Sequence, residues 1–104
     1  MTIYSRGRAF EYRVRDFLKR NGWFVIRSAG SKTPVDLAAF KPNRTVLLQC
    51  KASKIPTLAK KERKALIKLK RTLRVEVGIA YRGPGNAIAF RSIDSLRPLL
   101  GDLP

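Results

Sequence analysis

The stretch TPVDLAAFKPNRTVLLQCKAS, residues 33–53, constrains the fold most strongly, because two apolar, β-rich runs flank the turn-forming tetrad Lys-Pro-Asn-Arg. Runs of this kind around Pro and Asn form a hairpin. We read strands over 35–40 and 45–52, with Phe40 facing Thr45 across the turn. That register sets Asp36 opposite Gln49. Side chains alternate along a strand, so Lys51 shares the face of Gln49. An acid, an amide and an ammonium therefore gather at one end of the hairpin, and a slip of one residue would separate them. Two readings are open here. Asp36 and Lys51 can form an edge ion pair, since a half-buried acid needs a partner, or the three groups can form a reactive constellation.

Around the hairpin, residues 6–21 read as a helix, with Phe10, Val14, Phe17 and Leu18 on one stripe, Ser5 as N-cap and Asn21-Gly22 as the stop. WFVIRS, 23–28, reads as a strand, and AGSKTP as a loop. Residues 57–73 read as a second helix capped by Thr57. Its apolar side is Leu66, Leu69 and Leu73, and Lys60, Lys64, Lys68 and Arg71 line another side. Strands follow over 75–81 and 87–91, joined by RGPGN, and a short terminal helix over SLRPLL. The order α-β-β-β-α-β-β-α predicts an α/β fold with a mixed five-stranded sheet flanked by helices, as a single domain over 1–104.

Charge narrows the partners. Twenty-three Lys and Arg against seven Asp and Glu give a formal +16, which repels itself unless a polyanion is near. Nucleic acid is the expected polyanion. No helix pairs a lysine face with a broad aromatic face, and no apolar run exceeds four residues, so no membrane partner is expected. The lone Cys50 fits a reducing compartment, and MTIYSRGRAFEYR lacks an apolar signal core. A cytoplasmic location follows, nucleoid-associated or in a phage-infected host. The absence of histidine removes the usual neutral-pH base.

Glu11 stands at the border of the first helix's apolar stripe. By itself it reads as an i, i+4 partner of Arg15. Taken together, Glu11 on a helix, Val35-Asp36 on a strand and Gln49-Cys50-Lys51 on the next resemble the PD-(D/E)xK nuclease motif. More narrowly, GRAFEYRVRDFLKRNGWFVIRSAGSKTPVDL resembles the archaeal-type Holliday junction resolvases, which also occur in phages.

The resemblance implies a restriction-endonuclease-like core and an endodeoxyribonuclease that resolves four-way junctions as a homodimer. It implies Mg²⁺ or Mn²⁺ held by Asp36, Glu11, the Gln49 amide and the Cys50 backbone carbonyl, an oxygen set of the kind Mg²⁺ prefers. Lys51 would orient water or neutralise developing charge. Gln49 stands where the pattern has an acid, so weaker metal binding is expected. The thiol of Cys50 is expected to pack in the core. Arg6, Arg8, Arg13, Arg27, Ser31 and Lys32 are the expected DNA contacts. A non-catalytic nucleic-acid binder on the same fold, or a related nuclease with another DNA substrate, are the alternatives. The leucines Leu96, Leu99, Leu100 and Leu103 are candidates for either core or dimer.

Overall fold

The predicted register is the one that forms. In the computed structural model, which describes residues 3–28, 33–54 and 58–94, strands β2 (Leu37–Lys41) and β3 (Arg44–Lys51) pair antiparallel. Phe40 faces Thr45, and Leu37 faces Leu48. The turn is tighter than expected, since Lys41 and Arg44 already pair and only Pro42 and Asn43 lie outside the ladder. Asn43 adopts φ of 62°, a left-handed conformation that asparagine tolerates better than most residues. Asp36 falls just before β2, with its backbone still tied in: Asp36 N–H donates to the Leu48 carbonyl (2.8 Å) and Ser28 N–H to the Asp36 carbonyl (2.8 Å).

The remaining strands are β1 (Phe24–Arg27), β4 (Glu76–Arg82) and β5 (Ile88–Ser92). They build one sheet in the order β1-β2-β3-β4-β5. Only β3 and β4 run parallel. A parallel neighbour requires a crossover, which helix α2 (Lys60–Leu73) supplies. The mixed five-stranded sheet expected from the sequence is therefore present. The proposed terminal helix, the C-terminal leucines and the Thr57 cap lie outside the described residues. The N-cap of α2 is Ala59.

Alternation along β3 divides the core in two. Leu48 and Val46 face helix α1 (Ile3–Arg20) and join Phe10, Val14, Leu18, Trp23, Leu37 and Ala39. Leu47 faces α2 and joins Leu66, Val77, Ile79 and Ile93. The layers are helix, sheet, helix. Helix α1 begins three residues earlier than predicted, so Ser5 lies inside it and does not cap it. At the other end Gly22 takes φ of 88°, a conformation that favours glycine. In α2, Leu66 is buried and Leu69 packs on the core, but Leu73 is half exposed, and Ile67 takes part in the packing instead. Leu73 lies in the last turn of α2, where the side chain is 51% exposed.

Helix α2 covers the centre of its face, and among the described residues no element covers β1 on that side. Phe24 and Ile26 project on that face, 67% and 52% exposed, and Phe24 lies against Phe40 with ring centroids 6.3 Å apart.

Candidate active site

The C-terminal ends of β1, β3 and β4 and the N-terminal ends of β2 and β5 lie together, because the pairing pattern requires it. At this end Asp36 follows the loop from β1. Its Oδ2 accepts the Cys50 N–H at 2.9 Å. The carboxylate is thereby fixed across the mouth of the hairpin, where the ladder would otherwise leave an unpaired backbone donor. Gln49 shares a cleft of about 550 Å³ with Asp36, Thr33, Pro34, Lys61 and Glu62. Asp36 and Gln49 thus line one cleft, although the ladder ends at Leu37 and Leu48 and does not itself pair them.

Lys51 is placed differently from the simplest expectation. Its ammonium donates to both carboxylate oxygens of Glu62, at 2.9 and 3.2 Å. Asp36 feels the Lys51 charge, but the ion pair is with α2 and not with Asp36. Glu62 also accepts the Ala59 N–H (3.1 Å) at the helix start, one half of the reciprocal capping arrangement. Sequence reading passed over Glu62. The signal was there: it is the only acid in a helix otherwise rich in Lys and Arg, and it sits in the first turn, where an acid suits the helix dipole.

Glu11 reaches the same region from α1. Its partner is Arg27 on β1, Nε to Oε1 2.6 Å, and not Arg15, which pairs with Asp16. The contact is an ion pair and not an aligned hydrogen bond, since Arg27 Nε finds no acceptor with suitable geometry. Arg27 also lies over the Tyr12 ring, 4.9 Å from its centroid. Burial pushes the Glu11 carboxyl above its ordinary pKa, the Asp36 charge adds to this, and Arg27 and Arg8 oppose it. Burial likewise raises Asp36, against the pull of the Cys50 N–H, Lys51 and Arg27. Burial raises the Cys50 thiol well above its ordinary value, and its side chain packs on the α1 side of the sheet. The half-buried side chain packs against the core on the face that the alternation predicted.

Among the expected phosphate contacts, Arg8 and Arg27 stand beside Glu11. Arg13 instead donates to the Asn86 carbonyl, in the turn between β4 and β5. That turn, with Lys54 and Arg82, lines a second shallow basic recess at the same end of the sheet. Only the backbone of Arg6 is described, and Ser31 and Lys32 lie outside the described residues.

Whether this end could hold a divalent cation rests on its donors. Among the described residues no group of three His, Cys, Asp or Glu is arranged for a metal. What is present is two carboxylates that burial disfavours as anions, Glu11 and Asp36, the first raised further by the charge of the second, and the neutral Gln49 lining the cleft with Asp36. Glu11 and Glu62 have cationic partners, whereas the direct partner of Asp36 is a backbone N–H. A hard cation that keeps several waters fits this set.

The raised Asp36 pKa has a measurable consequence. The folded state holds the proton more tightly than the unfolded chain, so stability grows as pH falls through the raised value and is lost as pH rises through it. Asp36→Asn keeps an acceptor for the Cys50 N–H and removes the penalised charge. In EDTA at pH 7 this variant should melt at a higher temperature than the wild type, and the gap should close as the pH falls through the carboxylate range. An equal or lower Tm at pH 7 would contradict it.

A 50-residue segment is 42% identical to the crossover junction endodeoxyribonuclease Hjc of Methanocaldococcus jannaschii, covering 48% of this chain and 37% of that protein. The fold superposes on the 1.6 Å structure of Archaeoglobus fulgidus Hjc, described as a Holliday junction resolvase from an archaeal hyperthermophile. That match has a TM-score of 0.73 and 27% identity, over 85% of this chain and 73% of that one. Residues 2–99 match the profile of the archaeal Holliday junction resolvase (Hjc) family, and the chain belongs to that family.

Proposed function

We propose that this protein is a metal-dependent endonuclease that cuts four-way DNA junctions, with Asp36 at the centre of its active site. The observation that carries this reading is the Asp36 carboxylate itself, pinned by the Cys50 N–H at 2.9 Å and facing a cleft shared with Gln49. Asp36, Glu11 and the Gln49 amide oxygen, with the Cys50 carbonyl, would hold Mg²⁺ or Mn²⁺. When bound, such an ion polarises a phosphodiester oxygen and makes its own water more acidic, which suits a chain without histidine. Lys51, whose charge reaches Asp36 and whose partner Glu62 lines the cleft, offsets negative charge that develops on the phosphate. Arg27 and Arg8 steady flanking phosphates. Recognition rests on junction shape and backbone charge, in keeping with the formal +16.

A junction presents two like strands, and a two-fold dimer offers two matching sites. We place the dimer contact at Phe24, Ile26 and Phe40, because a monomer gains nothing by exposing two large apolar side chains on a bare sheet face. Light scattering at micromolar protein should give a dimer mass for the wild type and a monomer mass for Phe24→Asp, with unchanged far-UV circular dichroism. A monomeric wild type would overturn the dimer.

The activity is tested with labelled four-way junction, Y-fork and plain duplex, each with Mg²⁺ and with EDTA. The junction should be cut fastest, and only with metal. Asp36→Asn should lower the single-turnover rate at least about 1000-fold, the scale of losing an electrostatic anchor of the transition state. Its junction affinity should be equal or slightly higher, since one negative charge near phosphate is gone. An Asp36→Asn protein that cuts at the wild-type rate would defeat the site. A wild type that binds junctions and never cuts them would make it a binding protein on this fold.

A further inference from the structure

Lys51 stands at the end of β3, and no acid of its own strand is there to hold it, since Gln49 is neutral. A lysine side chain has four rotatable bonds and a strongly hydrated head, and by itself it samples many positions. Here the ammonium is gripped from α2 by both oxygens of Glu62, at 2.9 and 3.2 Å. Glu62 is in turn fixed twice. Its carboxylate accepts the Ala59 N–H at 3.1 Å, and its backbone lies in the first turn of α2. Four residues further along, Leu66 is buried against the sheet and locks that turn in place. The chain of contacts runs from the core through α2 to Glu62, which lines the cleft with Asp36 and Gln49, and on to Lys51, whose charge reaches Asp36.

We propose that Glu62 is a positioning residue, which holds the Lys51 ammonium at the Asp36 cleft in the orientation cleavage needs. This rests on the nuclease reading above and extends it to a residue of α2. The pair is part-buried and ties the end of β3 to the first turn of α2, and placement of a charged group within an ångström can change a rate by about 100-fold.

The two roles separate in a comparison of rate and affinity. Glu62→Ala should cut a bound four-way junction roughly 10- to 100-fold more slowly in single turnover. Its junction affinity should stay equal or rise slightly, because an anion near the phosphates is removed. Glu62→Gln, which keeps one oxygen to accept from Nζ, should recover part of the rate and serves by itself if the alanine variant does not fold. Without DNA, ¹⁵N-lysine spectra should show a slowly exchanging Lys51 ammonium in the wild type that is lost in Glu62→Ala. If Glu62→Ala and Glu62→Gln cut at the wild-type rate, the proposal is overturned even if Tm falls, and the nuclease reading stands. If the wild type itself cuts no junction, the nuclease reading fails and takes this role with it.

Discussion

The hydrogen bond from Cys50 N–H to the Asp36 carboxylate is where the fold of this protein meets the chemistry proposed for it. The β2–β3 ladder runs out at Leu37 and Leu48, and the chain before β2 must turn away toward β1. A side-chain oxygen takes over where a backbone carbonyl would have continued the pairing. One interaction thus satisfies a backbone donor and fixes a carboxylate at the sheet's end. It depends on the register, which depends on the short Pro42-Asn43 turn and on Val46 and Leu48 finding the α1 side of the core. A slip would expose those residues and carry Asp36 away from Gln49.

Electrostatics sharpen what geometry begins. The chain has only seven acids against 23 basic residues, and Glu11, Asp36 and Glu62 all converge on this end of the sheet. Each is treated differently. Glu11 is matched by Arg27, and Glu62 by Lys51. Asp36 is held by a neutral donor and pushed toward the protonated state by burial. The result is a spot suited to a cation within a surface suited to phosphate, the combination a metal-dependent nuclease requires.

Much of this was legible in the sequence because it rests on short-range rules. Period-two alternation and a Pro-Asn turn place Asp36, Gln49 and Lys51, and the same alternation sends Cys50 to the opposite face. Contacts between distant elements were not legible. The partner of Glu11 proved to be Arg27 on a strand and not Arg15 on its own helix, because local spacing says nothing about which helix border meets which sheet edge. Glu62 was hidden for the same reason: a lone acid in a basic helix reads as solvated surface until the crossover lays that helix over β3 and β4. Leu73 was misassigned because helical periodicity does not say where a helix runs past the sheet beneath it.

The central claim is that Asp36 organises a cation site at the end of this hairpin. Substoichiometric Mn²⁺ added to ¹⁵N-labelled protein tests it without any DNA. The account predicts that amide signals of Asp36, Gln49 and Cys50 broaden first, with Glu11 close behind, and that Asp36→Asn abolishes the effect. Broadening centred elsewhere, or unchanged by Asp36→Asn, would contradict it.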